Sequence, residues 1–237
     1  MINQQARIPH SSIPETKASF DFENGEILNI NKPEGWSSFD VVKKIRYHIK
    51  VKKVGHAGTL DPFASGVLLI CTGRATKKVQ ELMNFEKEYQ AQIELGTTTD
   101  TYDRTGKILK QNPTRHLTAA DLEKVCDGFR GEIYQIPPMY SAIKIKGKRL
   151  YDLARRGEII EREPRKITIY KIDLLDFQNP FVTLKIVCSK GTYIRALAHD
   201  IGENLGCGAY LKSLIRTRIG PYKIESAYLL SNFIQTI

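Results

Sequence analysis

One aspartate stands in a setting suited to chemistry. The stretch Gly55-His56-Ala57-Gly58-Thr59-Leu60-Asp61-Pro62 places Asp61 directly before a proline in a glycine-rich segment. Pro62 disfavours helical backbone at the residue before it, so Asp61 is confined to extended or turn conformations. A carboxylate held rigidly at a cleft is the side chain used for nucleophilic or general-base work. A turn aspartate accepting local backbone hydrogen bonds fits the same residues.

A second candidate lies in Ser189-Lys190-Gly191-Thr192-Tyr193-Ile194-Arg195, which runs from a strand end into a helix. Arg195 then falls in the first helical turn, where the helix dipole disfavours a cation and a carboxylate partner is wanted. That partner could be Asp61 in a buried pair, which favours the ionised carboxylate. A weak surface salt bridge is the alternative. Tyr89 and His56 are less diagnostic: a tyrosine facing inward from a strand is usually a core residue, and His56 is a lone loop histidine.

Between Lys144 and Lys166 stand nine basic residues: Lys144, Lys146, Lys148, Arg149, Arg155, Arg156, Arg162, Arg165 and Lys166. They are diluted by Asp152, Glu158, Glu161 and Glu163. Such a segment could follow a phosphate backbone or form a solvated helical face. Tyr140 and Tyr151 could stack on bases or simply pack.

The elements that must position these groups follow from periodicity. Ile27 to Ile30 reads as a strand entering the turn Lys32-Pro33-Glu34-Gly35, and Ser38 as the N-cap of a helix with Val42, Ile45 and Ile49 on one face. Val54 to Gly66 reads as loop, followed by a strand over Val67 to Cys71. Tyr89, Ala91, Ile93 and Leu95 alternate with polar residues, the period of a strand with one buried face. A Thr-x-x-Asp cap opens a helix over Thr118 to Phe129, with Leu122, Val125 and Phe129 inward. Ile167 to Leu175 and Val182 to Cys188 read as strands, Thr192 to Gly206 as a helix, and Ser226 to Gln235 as a helical tail. The pattern predicts an α+β fold around a mixed, mostly antiparallel sheet flanked by helices.

Composition bounds the function class. A chain of 237 residues can bury roughly 70% of its unfolded surface. With 41% hydrophobic and 26% charged residues it reads as soluble and globular. No apolar h-region opens the chain and no run of about 18 apolar residues occurs, so a cytoplasmic location without membrane insertion is expected. Cys71, Cys126, Cys188 and Cys207 lack a CxxC pair and have no clustered histidines, which argues against a zinc site or disulfide framework. A formal charge of +10 favours a polyanionic partner, of which nucleic acid is the foremost.

Taken in order, Lys32-Pro33-x-Gly-x-Ser-Ser-x-Asp-Val-Val, Gly55-His-x-Gly-Thr-Leu-Asp-Pro-x-Ala-x-Gly-Val-Leu, Gly73-Arg-Ala-Thr-Lys and Lys87-x-Tyr resemble the TruB family of tRNA pseudouridine synthases. So do Pro137-Pro-x-Tyr-Ser-Ala-x-Lys, Gly147-Lys-Arg-Leu-Tyr and Ser189-Lys-Gly-Thr-Tyr-Ile-Arg. The likeness covers about residues 26 to 220. It implies the pseudouridine synthase fold, with a catalytic domain over 26–237, an N-terminal extension over 1–25 and an RNA-clasping insertion over about 137–166.

By that resemblance Asp61 is the catalytic aspartate, Tyr89 stacks on the target uracil, and Arg195 pairs with Asp61. His56 occupies the space from which the base is flipped, Tyr193 and Leu214 line the uracil pocket, Lys32 belongs with the substrate-binding residues, and Asp103 helps to organise the site. Lys144, Lys146, Lys148, Arg149, Arg155 and Arg156 belong to the arm that closes over RNA. The implied substrate is the T-arm stem-loop of tRNA, modified at the uridine conventionally numbered 55, by a monomer needing no cofactor or metal. Base flipping costs a few kcal/mol, and aromatic stacking worth about 1–3 kcal/mol can offset it. Two departures are noted: Ala57 and Ser65 stand where many members have threonine, and the sequence ends at Ile237 without the C-terminal PUA domain of many bacterial relatives. Two other readings are an RNA-folding chaperone and the same isomerisation on another T-loop-like RNA. A glycoside hydrolase lacks a motif-supported second carboxylate of matched role.

Overall fold

The computed structural model describes residues 20–141, 144–145, 148–154, 156–158 and 160–237. The chain opens with β1 (Ile27–Lys32), α1 (Ser38–Ile49), β2 (Val54–His56), β3 (Ser65–Thr72) and α2 (Val79–Asn84). Next come β4 (Lys87–Leu95), β5 (Thr97–Thr99), β6 (Ile108–Gln111), α3 (Ala119–Gly128) and β7 (Gly131–Gln135). A small unit of β8 (Lys144–Ile145), β9 (Lys148–Arg149) and α4 (Leu150–Ala154) precedes the long β10 (Arg165–Gln178) and β11 (Phe181–Cys188). The chain closes with α5 (Ile194–Asn204), β12 (Ala209–Ile219), β13 (Tyr222–Lys223), β14 (Tyr228–Leu229) and α6 (Leu230–Thr236).

The main sheet runs β14-β1-β3-β12-β4-β11-β10-β7, with β2 added to β3 and β13 to β12. Among the described strands of this sheet, β1–β14 and β3–β12 pair in parallel and the other pairs are antiparallel. This is the mixed, mostly antiparallel α+β architecture expected. The alternation in β4 buries Lys87, Tyr89, Ala91, Ile93 and Leu95, and the last four, with residues of β10, β11 and β12, pack under α3 and α5. A second cluster joins β1 and β3 to α1 and α6.

Several boundaries differ from the sequence reading, each for a local reason. The N-cap of α1 is Ser37, which forms a capping box with Asp40. Ser38 is instead buried and exchanges hydrogen bonds with Leu60, 2.8 Å from its N–H and 3.1 Å to its carbonyl. The segment 54–66 is not all loop: β2 pairs with the far end of β3, from Val54 against Thr72 to His56 against Ile70. At the C-terminus the helix is confined to Leu230–Thr236, because Tyr228 and Leu229 are drawn into the sheet beside β1. Phe20 and Phe22, counted with the N-terminal extension, pack against Phe233 at ring-centroid distances of 5.6 and 6.4 Å and so belong to the body. Residues 1–19 lie outside the described residues.

Candidate active site

The carboxylate loop is fixed from both ends. Its entry is β2, where Ala57 N–H donates to the Leu69 carbonyl, and its exit is the start of β3. The sharp return into β3 depends on Gly66, which has φ +105°, and a Cβ there would lie 2.3 Å from the Arg216 carbonyl oxygen. Between these points the Ser38 hydroxyl clamps Leu60, while the fully buried Lys32 ammonium donates to the carbonyls of Pro33, Trp36 and Pro62 at 2.8, 2.6 and 3.4 Å. Asp61 is therefore carried by a segment with few free torsions.

Arg195, the second residue of α5, reaches Asp61 with two bonds: Nε to Oδ2 at 2.9 Å and Nη2 to Oδ1 at 3.3 Å. Its side chain is 6% exposed whereas that of Asp61 is 34% exposed, so the pair is anchored inside and open at the carboxylate. The remaining guanidinium donors go to the carbonyls of Thr101 and Tyr140 at 3.1 and 2.8 Å. Nη1 also lies 3.4 Å from Oδ2 of the buried Asp103. Asp103 is held in turn by the hydroxyls of Thr101 and Thr105 and the Thr105 N–H, so the 99–105 turn forms a scaffold behind the arginine.

Burial pushes the Asp61 carboxyl above the ordinary carboxylate value, and Asp103 adds to that rise; Arg195 and Lys32 oppose it. The pairing thus limits the desolvation penalty on the carboxylate. Burial lowers Lys32 to about 8, with Asp61 working against the fall.

Tyr89 lies opposite Arg216 in the β4–β12 ladder and is buried in the same cluster as Leu60 and Leu214. Tyr193, the residue before α5, is partly buried, and Gln135 holds its backbone on both sides: Oε1 accepts from its N–H and Nε2 donates to its carbonyl. His56 ends β2; burial and the Arg216 charge lower its pKa, and its Nδ1 is buried without a partner among the described residues. Asp61, Arg195, Asp103, Tyr89, Tyr193, Leu214, His56 and Lys32 thus converge on one neighbourhood from β1, the 54–66 segment, β4, the 99–105 turn, α5 and β12.

The arm is only partly within view. Lys146 and Arg155 lie outside the described residues, and Lys144, Lys148 and Arg149 are located only by the backbone of the β8–β9 hairpin. Arg156 is exposed and paired with Glu158 at 3.1 Å. The base of the arm touches the centre through the Tyr140 carbonyl, which accepts from Arg195.

Arg216 was missed. It is 1% exposed, and its donors satisfy the carbonyls of Val67, Gly58 and Thr59 at 2.7, 3.1 and 3.3 Å, spanning both sides of the Asp61 loop. Its signal was available in the two-residue period that places it on the same face as Leu214. An arginine within a strand ordinarily reads as a surface residue.

Among the described residues no group of three or more His, Cys, Asp or Glu side chains could hold a metal ion, and the four cysteines are free and buried. No helix there is long and apolar enough to cross a membrane.

Comparison with known proteins bears on this geometry. Residues 46–194 match the model of the TruB family pseudouridylate synthase N-terminal domain, and residues 195–236 match that of the tRNA pseudouridylate synthase B C-terminal domain. The chain is 51% identical over 223 residues to tRNA pseudouridine synthase B of Bacteroides fragilis, covering 92% of this chain and 96% of that protein. It is 52% identical over 204 residues to the protein of the same name from Clostridium kluyveri, covering 86% of this chain and 70% of that one. Among solved structures it resembles a chain of a Cbf5-Nop10-Gar1 complex at TM-score 0.71 and 33% identity, over 90% of this chain and 54% of the other. A chain of an H/ACA RNP bound to a substrate RNA containing 2′-deoxyuridine aligns at TM-score 0.67 and 30% identity, over 90% of this chain and 53% of that one. The chain belongs to the TruB family of pseudouridine synthases.

Proposed function

We propose that this enzyme converts the T-loop uridine of tRNA, at the position conventionally numbered 55, to pseudouridine, with Asp61 as its catalytic carboxylate. The observation that carries this reading is the half-open Asp61 carboxylate doubly bonded to an almost fully buried Arg195. The names of the two bacterial relatives support tRNA as the substrate.

The reaction breaks the N1–C1′ bond and forms C5–C1′, after which C5 releases its proton and N1 carries one. Nothing is gained or lost overall, so the protein must gain access to the base and stabilise the separated uracil and sugar. Flipping the nucleotide out of its stack brings C1′ to Asp61. Tyr89, which faces the site from β4, stacks on the uracil, with Leu214 and Tyr193 lining the pocket. His56 fills the place the base has left. Asp61 acts ionised, by attack on a ring carbon or by taking a proton from the ribose; Arg195 favours that form and fixes its orientation, and Asp103 holds the guanidinium.

The test is tritium release from C5-labelled uridine in an unmodified T-stem-loop, using wild type and Asp61→Asn. Release by wild type and none by the variant, with RNA binding retained, is expected. Equal release by both would remove Asp61 from the mechanism. Binding without release by wild type, on full-length tRNA as well, would make the protein an RNA-binding module.

A further inference from the structure

The outward face of α1 and the loop after it are unlike the rest of the surface. Between Asp40 and Asp61 the sequence holds Lys43, Lys44, Arg46, Lys50, Lys52 and Lys53 and no acid. At about 100° per residue, Phe39, Lys43 and Tyr47 fall within an arc of roughly 80° on the side of the helix away from Val41, Val42 and Ile45, and Lys50 caps its C-terminus, whereas Arg46 is half-buried and donates to the Val54 carbonyl at 2.9 Å. Phe39 is 53% and Tyr47 78% exposed, large aromatic areas to leave in water, and the Lys43 ammonium lies 4.8 Å from the Phe39 ring centroid.

Elsewhere several basic groups of the sheet are neutralised in pairs, as in Lys166–Glu132, Lys171–Asp173, Lys185–Glu88 and Lys212–Glu94. Among the described residues, none of Lys43, Lys44, Lys50, Lys52 and Lys53 makes an ion pair. The one acid of the helix, Asp40, is engaged with Ser37 in the capping box, one turn before Lys43. The chain's first nineteen residues carry Arg7 and Lys17 against Glu15 alone, a net positive charge that does not complement this face.

The location gives the patch a use. Lys53 adjoins β2, and three residues of extended chain, about 10 Å, separate it from His56. We propose that the outward face of α1 and the 50–53 loop form a second phosphate-binding surface, which follows the RNA backbone beside the flipped nucleotide. This rests on the reading of the protein as an RNA-modifying enzyme, and it adds a contact surface distinct from the arm at 137–166. The lysines neutralise phosphates and release counterions. Tyr47 and Phe39 lie against the shallow minor groove, where the tyrosine hydroxyl reaches ribose 2′-hydroxyls.

The experiment compares wild type with the triple variant Lys43→Gln, Lys50→Gln, Lys52→Gln and with a control pair, Lys107→Gln, Lys110→Gln, whose lysines are also exposed. The affinity for a T-stem-loop is measured across a salt series, together with the single-turnover rate at saturating RNA. Loss of three phosphate contacts lowers the slope of log affinity against log salt by about 2–3 and weakens binding about tenfold or more at low salt. The saturated rate stays at the wild-type value, and the control pair changes neither quantity. An unchanged slope in the triple variant, or an equal change in the control pair, overturns the proposal. Wild-type turnover of the same RNA is scored separately, so failure of the enzymatic reading is seen on its own.

Discussion

At the scale of single residues, catalysis turns on the charge state of Asp61. Its carboxyl is raised by burial, so its ionised fraction falls as pH drops through a value above the ordinary one for aspartate. The acid limb of the single-turnover rate should therefore lie above the normal aspartate range; a rate flat down to about pH 4 would contradict it. Removing the guanidinium fork should move that limb further towards neutrality. Arg195→Lys keeps a charge but cannot make two parallel bonds to Asp61 while also holding the Thr101 and Tyr140 carbonyls. The rate should fall about 10²-fold or more with RNA affinity little changed, as read by single-turnover and binding assays. Asp61 and Arg195 were legible because their motifs are dense and ordered. Arg216 was not: its importance lies in three carbonyls, at Val67, Gly58 and Thr59, that only the folded chain brings within its reach.

Elements were legible where burial follows a simple period. The alternation of β4 and the capped start of α3 needed no tertiary information. The segment 54–66 did, since β2 is held in place by β3 and its three residues carry little propensity of their own. Long-range pairing likewise converted part of the expected C-terminal helix into β14 beside β1. The same dependence makes the turn into β3 fragile. Gly66→Ala places a Cβ against the Arg216 backbone at a φ of +105°, so it should cost about 2 kcal/mol or more in chemical denaturation and lower activity by displacing the Asp61 loop. Wild-type stability and rate in this variant would show that the loop is not tensioned there. Gly35, at φ +83° with open space around it, should tolerate alanine with a smaller loss.

For the whole molecule, the fold class followed from the interleaving of strands and helices, whereas the sheet order could not be read from the sequence. Placing β12 between β3 and β4 is what brings Leu214 and Arg216 beside Tyr89 and the Asp61 loop. Activity and stability should separate accordingly. Asp61→Asn removes a carboxylate whose ionised form the fold disfavours, while Arg195 keeps Asp103 and two carbonyls as partners. Its thermal midpoint should stay within a few degrees of wild type or rise. The most direct test of the central claim is site-resolved mapping of pseudouridine in an unmodified tRNA transcript incubated with wild type and with Asp61→Asn. A single modified uridine in the T-loop, at the position conventionally numbered 55, present with wild type and absent with the variant, is the predicted result. Modification at other positions, or at the same position by both proteins, would contradict it.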